Sequence, residues 1–179
     1  MFDMLKERAE TGRIYIMNID HCNTHSSFKD RVYMSNLCQE ITLPTDPIQH
    51  IDDHSGEIAL CILSAVNVGV VKDEELEEIC DLAVRALEQI IDYQKYPVQA
   101  AEISTKARRS LGIGYVGLAH FLAKNKVSYE DNEAAVLVHK LTESFQYYLL
   151  KASNKLAQER GQCEYFERTK YADNVLPID

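Results

Sequence analysis

The chain has 179 residues, of which 46% are hydrophobic and 26% are charged, as in a globular protein with a hydrophobic core. Its 28 acidic residues outnumber its 19 Lys and Arg, and the formal charge of -9 disfavours nucleic acid and anionic lipid as partners. The longest apolar run, residues 58–66, is too short to cross a bilayer. We therefore expect a cytoplasmic protein that binds neither nucleic acid nor membrane.

The first half of the chain is predicted to be extended. Residues 13–20 are rich in β-forming side chains and predict a strand, and residues 20–31 predict a loop. Residues 35–43 predict a second extended segment, which the following prolines end. The apolar run 58–66 predicts a strand buried on both faces, which is typical of α/β proteins.

The second half is predicted to be helical. Apolar residues at the helical period predict a helix from Asp73 to near Tyr93. A further helical pattern covers residues 98–124, and the sequence does not decide whether its glycines break it. The longest helix is expected to start near Asp131 and to stop at Gly161. No second parallel strand with a crossover helix is predicted in the chain, so we expect the sheet partners of residues 58–66 to come from elsewhere.

The five cysteines are odd in number, irregularly spaced and without a C-x-x-C pair, so they predict no disulfide framework. A cytoplasmic cysteine is by default a small buried hydrophobic residue, and Cys80 lies on the apolar stripe of its helix. Any other role has to be argued from the neighbouring residues. The cysteines are Cys22, Cys38, Cys61, Cys80 and Cys163.

Asn36, Cys38 and Glu40 are spaced by two, so on a strand their side chains would leave the same face. An amide, a thiol and a carboxylate in a row offer hydrogen bonding, a sulfur that can lose a proton or a hydrogen atom, and a proton acceptor. The spacing is equally compatible with a solvated strand face that carries a cysteine by chance. The pattern alone does not decide between the two interpretations.

The segments around Asn36, Cys38 and Glu40 decide between these two interpretations. Taken in order, they resemble the large (alpha) subunit of class I ribonucleoside-diphosphate reductase, and the resemblance spans the whole chain. The segments are GRIYI (12–16), DHCNTHS (20–26), SNLCQEITLPT (35–45), GEIALC (56–61), AVRAL (83–87), RRSLGIG (108–114), QYYLLKASN (146–154) and LPID (176–179).

The resemblance implies an α/β fold that forms part of a ten-stranded α/β barrel, with Cys38 on a central finger loop and a helix-rich second half. Cys38 would become the thiyl radical that removes the 3′ hydrogen of the ribose, and Glu40 would take the proton of the 3′ hydroxyl. Asn36 would hydrogen-bond the substrate, and Leu37 would contact it. Cys61 would be one of two cysteines that reduce the substrate and then form a disulfide.

The resemblance also implies what the chain lacks. The disulfide partner of Cys61 would lie upstream of anything that matches this sequence. We therefore expect residues 1–179 to be a partial catalytic barrel domain, inactive alone. Its substrates would be ribonucleoside diphosphates, and its partners would be the rest of the large subunit, a radical-generating small (beta) subunit and thioredoxin or glutaredoxin. The alternative is a non-catalytic interaction piece that completes a split subunit.

No cofactor is expected on this segment itself. The resemblance implies that the holoenzyme needs a di-iron centre with a tyrosyl radical on the small subunit, and ATP and deoxynucleoside triphosphate effectors. His21, Cys22 and His25 lie together, but consecutive ligands without a second cluster are weak grounds for a metal site. Residues 112–117 match G-x-G-x-x-G, but neither a preceding buried strand nor a surrounding βαβ unit is predicted, so close packing is the preferred interpretation.

Overall fold

The computed structural model describes residues 1–176, so most of the segment 176–179 lies outside the described residues. Eight helices and strands follow one another along these described residues. They are α1 (Phe2–Thr11), α2 (Ile19–Thr24), β1 (Ile62–Asn67), α3 (Leu76–Tyr93), α4 (Gln99–Arg108), β2 (Leu111–Val116), α5 (Leu118–Lys124) and α6 (Asn132–Arg160). Short 3₁₀ turns occur at Asp73–Glu75, Phe166–Arg168 and Lys170–Asp173.

The two strands pair in parallel, in a register that runs from Ile62 opposite Leu111 to Asn67 opposite Val116. The helices α3 and α4 connect them, as a parallel pair requires a long crossover. The prediction that the chain holds no second parallel strand was therefore wrong. Glycines inside an apparently helical stretch obscured β2, whose Ile113 and Tyr115 carry the side chains of a strand. The α/β fold class is confirmed.

Two long helices cover one face of this sheet. The helix α3 buries Leu76, Cys80, Val84, Leu87 and Ile91. The helix α6 packs along it and buries Ala134, Phe145, Ala152 and Leu156. Both helices lie where their apolar periods predict them, and α6 ends before Gly161, which has a φ of 91° that favours glycine. Cys80 is fully buried in the core, as predicted.

The opposite face of the sheet is not covered by any described residue. Val66, Ile113 and Tyr115 pack toward the helices, whereas Leu63 on the other face is 56% exposed. The strand also begins at Ile62, later than the run 58–66 predicts. The prediction of burial on both faces was thus wrong for the described chain, because helices are packed on one side of the sheet only.

The predicted strand at residues 13–20 is absent. Residues 13–18 are irregular and α2 follows, although the composition favours a strand. A β-forming sequence becomes a strand only when another backbone pairs with it, and within residues 1–176 none does so here. The helix α1 was not predicted either, because it buries none of its residues and therefore shows no apolar pattern in the sequence.

Candidate active site

The segment around Cys38 forms a tight turn rather than a strand. The Gln39 amide donates to the Asn36 carbonyl oxygen at 3.1 Å, and Gln39 has a φ of 61°. The side chain of Asn36 closes the turn, since its Oδ1 accepts from the Ile41 amide at 3.1 Å. Ser35 Oγ donates to the Ile41 carbonyl oxygen at 2.9 Å and fixes the same end. The loop is therefore held by three hydrogen bonds among four of its own residues.

The prediction that Asn36, Cys38 and Glu40 leave one face of a strand was wrong. A turn reverses the chain between Asn36 and Gln39, so the period of two does not apply. The turn instead raises its two central residues to a tip, where Leu37 is 87% exposed and Cys38 is a free, exposed thiol.

Cys61 lies directly before β1 and is half-buried. Burial raises the pKa of its thiol above the ordinary value of 9.0, and the negative charge of Glu40 raises the pKa further. The fold thus brings Glu40, from the end of the turn, into the electrostatic neighbourhood of Cys61. A thiol in this setting stays protonated at neutral pH and can give up hydrogen.

A cavity of about 700 Å³ opens beside the turn. It is lined by residues 33–36, Ile41, Leu43, residues 45–48 and residues 57–59. Asn36 belongs to this lining, but Cys38, Glu40 and Cys61 do not. The reactive groups lie around the turn and the start of β1, so the chemistry has to be sought there, at the edge of the cavity.

Comparison with known proteins relates this geometry to a family. The profile described as "Ribonucleotide reductase, barrel domain" matches residues 1–179. The chain belongs to this family. It is 59% identical over 180 residues to the ribonucleoside-diphosphate reductase subunit alpha of Haemophilus influenzae, with 98% of this chain and 24% of that protein covered. The corresponding subunit of enterobacteria phage T4 is 43% identical over 186 residues, with 100% of this chain and 24% of that protein covered.

A third relative, ribonucleoside-diphosphate reductase 1 subunit alpha of Escherichia coli, is 54% identical over 180 residues, which is 98% of this chain and 24% of that protein. The chain therefore spans about a quarter of the length of these curated relatives. The resemblance on which the sequence interpretation depends is confirmed for the family as a whole. The roles of the individual site residues stay predictions.

In this part of a ribonucleotide reductase barrel, most of the G-x-G-x-x-G motif lies in strand β2. Gly112 and Gly114 lie inside β2, and Gly117, with a φ of 82°, begins α5. A Cβ on Gly117 would lie 2.3 Å from Asn67 Oδ1, so close packing at this position requires glycine. The motif lies in the last strand of the unit formed by β1, α3, α4 and β2, and within residues 1–176 no strand follows α5, whereas a dinucleotide motif opens a βαβ unit.

His21, Cys22 and His25 lie in and just after α2, where His25 Nδ1 is 3.0 Å from the His21 carbonyl oxygen. Across the described residues 1–176, no group of three or more His, Cys, Asp or Glu side chains could hold a metal ion. Over the same part of the chain, no helix is long and apolar enough to cross a membrane.

The sequence interpretation missed a buried cluster of charges next to the site. Glu57, which lines the cavity, accepts two hydrogen bonds from Arg108 at the end of α4, and Arg168 also contacts it. Asp30 bridges the same two arginines. Glu57 and Arg108 are both in segments that match the family, but residues so far apart in sequence give no signal that they pair.

Proposed function

We propose that this chain supplies the thiyl-radical loop and one redox thiol of a ribonucleoside-diphosphate reductase. The observation that carries the proposal is the proximity of Glu40 to Cys61, through which the charge of Glu40 raises the pKa of the thiol. The radical turn and the redox thiol come from separate parts of the sequence and converge in space. Such convergence on one sugar is what the reaction demands.

Cys38, Glu40 and Cys61 would each act in a different step of the reaction. The Cys38 thiyl removes the 3′ hydrogen atom of the ribose, which leaves a substrate radical and a Cys38 thiol. Glu40 accepts the proton of the 3′ hydroxyl and later returns it. The 2′ hydroxyl leaves as water with a proton from the reducing cysteine pair, whose second hydrogen replaces it at the 2′ carbon. Cys61 and a second cysteine from the rest of the subunit give two electrons as they form a disulfide. Cys38 then returns its hydrogen atom to the 3′ carbon.

The positions of the groups support these roles. Cys38 is exposed at the tip of the turn, where a sugar can reach it. Asn36 uses Oδ1 to hold the turn, while its Nδ2 has no hydrogen-bond partner among residues 1–176 and can donate to the substrate. Leu37, next to Cys38, offers an apolar contact.

The remaining components belong to the same proposal. The rest of the large subunit would provide the second cysteine and the other barrel strands. A small subunit with a di-iron centre and tyrosyl radical would generate the radical, and thioredoxin or glutaredoxin would reduce the disulfide. Nucleoside triphosphate effectors would act on parts of the subunit outside this chain.

The test uses a hybrid subunit, in which this chain replaces the matching quarter of the H. influenzae subunit alpha, combined with that organism's small subunit. The variants are Cys38→Ser, Cys61→Ser and, as the control, Cys22→Ser, another half-buried thiol. We expect Cys38→Ser to abolish deoxynucleoside diphosphate formation and Cys22→Ser to leave it unchanged. Activity that survives Cys38→Ser would contradict the radical assignment.

Cys61→Ser separates the redox role from the radical role. Because Cys61 is assigned to the reducing pair, its loss should abolish repeated turnover with a dithiol reductant. Normal turnover of Cys61→Ser would remove Cys61 from the mechanism. An inactive hybrid subunit, with the H. influenzae holoenzyme active in parallel, would favour a non-catalytic interaction role for this chain.

A further inference from the structure

On the uncovered face of the sheet, two positions near Cys61 are glycines and carry no side chain. Leu63 on β1 is paired with Gly112 on β2, and Ala65 is paired with Gly114. Paired residues of parallel strands point to the same side, so these two glycines lie on the uncovered face with Leu63. The sulfur of Cys61 lies over the first of them, because a Cβ built on Gly112 would be 3.0 Å from Cys61 Sγ.

The backbone does not explain the glycine at position 112. Among the glycines of the described chain, Gly12, Gly117 and Gly161 have a positive φ, whereas Gly112 does not. Any L-residue could adopt its conformation. What a side chain at position 112 would meet is the space already taken by Leu63 and Cys61.

The two neighbours of Gly112 differ in their freedom to move. A Cβ at position 112 would lie 2.4 Å from Leu63 Cδ2, but Leu63 is 56% exposed and its outer carbon can rotate away. Cys61 has one side-chain torsion and is half-buried, so its sulfur would have to move with that torsion or with the backbone. A methyl group at position 112 would therefore displace the Cys61 sulfur by a few tenths of an ångström.

We propose that Gly112 is a positioning residue for Cys61, and that the space left by its missing side chain sets where the sulfur lies. The proposal rests on the proposed function in one respect, namely that Cys61 is a redox thiol. Disulfide geometry is narrow, with Cβ atoms about 3.5–4.5 Å apart, so a displaced sulfur meets its partner poorly. The 3.0 Å contact requires the sulfur to move by a few tenths of an ångström, which changes the distance and angle at which it meets its partner.

Gly114 provides the matched control. It lies two residues further along the same strand and on the same face, and a Cβ built on it would meet nothing within 4 Å. Gly114→Ala therefore makes the same chemical change in the same strand without contact to Cys61. Leu63→Ala and the double variant Gly112→Ala/Leu63→Ala isolate the part of any effect that passes through Leu63.

The experiment measures the alkylation rate of Cys61 relative to Cys163 in the hybrid holoenzyme by mass spectrometry of the digested protein, together with turnover. We expect Gly112→Ala to change the relative alkylation rate more than about twofold, and to lower turnover by more than about twofold. Both effects should persist in the double variant. Gly114→Ala and Leu63→Ala should stay within about twofold of the unsubstituted protein.

Three results would overturn the proposal: an unchanged alkylation ratio in Gly112→Ala, an effect that disappears when Leu63 is also truncated, or failure of both variants at position 112 to fold while Gly114→Ala folds. The last would mean that Gly112 serves strand pairing as a whole. The alkylation ratio does not depend on reductase activity. Normal turnover of Cys61→Ser would thus refute the redox role of Cys61 while the position of its sulfur is still measured separately.

Discussion

Arg108 and Glu57 form a buried bidentate ion pair. The Arg108 guanidinium donates from Nε to Glu57 Oε2 at 2.7 Å and from Nη2 to Oε1 at 3.0 Å, and both side chains are only 4% exposed. Two further charges complete the cluster, since Asp30 accepts from Arg108 at 3.0 Å and Arg168 Nη1 donates to Glu57 at 3.2 Å. The cluster thereby joins four segments that are distant in sequence.

This cluster anchors the backbone beside the turn that carries Cys38. Glu57 also pairs through its backbone with Asp46, in an antiparallel bridge with N–O distances of 3.0 and 3.3 Å. Asp46 and Glu57 both line the cavity next to Asn36. The position of that cavity wall therefore depends on the charges that hold Glu57.

Glu57→Gln should destabilise the fold by about 3–5 kcal/mol, because it leaves the buried Arg108 without its main counter-charge. Glu102→Gln is the matched control. Glu102 pairs with Lys106 at 2.6 Å on the surface of α4, where the two side chains are 38% and 44% exposed. Loss of an exposed pair costs about 1 kcal/mol or less. Denaturant unfolding measures both, and equal midpoints for the two variants would contradict the prediction.

Acid should weaken the protein through the same carboxylate. Burial alone raises the pKa of Glu57, but the hydrogen bond and charge of Arg108 outweigh it and, with Arg168, hold the pKa below its ordinary value of 4.5. The folded state then binds fewer protons than the unfolded state, so the stabilisation is complete above pH 4.5 and is lost as the pH falls further. Glu57→Gln should flatten the acid limb of a stability profile. An acid limb of unchanged steepness would exclude Glu57 as its source.

The sequence was sufficient to predict the parts of the fold that depend on local periodicity. The apolar repeats of α3 and α6 and the stop at Gly161 needed no information about the rest of the molecule. The strand β2 was missed because its pairing with β1 is a long-range contact, and the buried pair of Arg108 and Glu57 was missed for the same reason.

In the candidate site, the identity of the residues could be predicted from the sequence, whereas their arrangement could not. The residues of the turn could be named because the sequence around them resembles a known family, but their arrangement was predicted wrongly from a period of two. The turn depends on hydrogen bonds that Asn36 and Ser35 make to the backbone of Ile41. Side chains of Asn and Ser commonly compete with extended structure in this way.

Glu40→Gln should lower the pKa of the Cys61 thiol, because the charge of Glu40 is one of the two causes that raise it. At a fixed pH below that pKa, the thiolate fraction and the alkylation rate of Cys61 should rise. Cys163, whose pKa is also raised by burial, is the internal control and should not respond. Glu40→Asp keeps the charge and should behave more like the unsubstituted protein. An equal response of both cysteines would mean that the substitution loosens the fold instead.

The last prediction separates two tasks of Asn36. Its Oδ1 accepts from the Ile41 amide at 3.1 Å and holds the turn, while its Nδ2 is assigned to the substrate. Asn36→Asp keeps an acceptor for Ile41 and removes the donor, so the turn should persist while reductase activity falls by roughly 10²-fold or more, as expected for a lost positioning contact.

Asn36→Ala removes both groups and should in addition destabilise the turn by about 1 kcal/mol. Proteolysis of the loop in the hybrid subunit distinguishes the two variants, because a loosened turn is cleaved faster. If Asn36→Asp is cleaved as slowly as the unsubstituted protein and is inactive, the amide donor acts on the substrate. If Asn36→Asp keeps full activity, Asn36 serves only to shape the turn that presents Cys38.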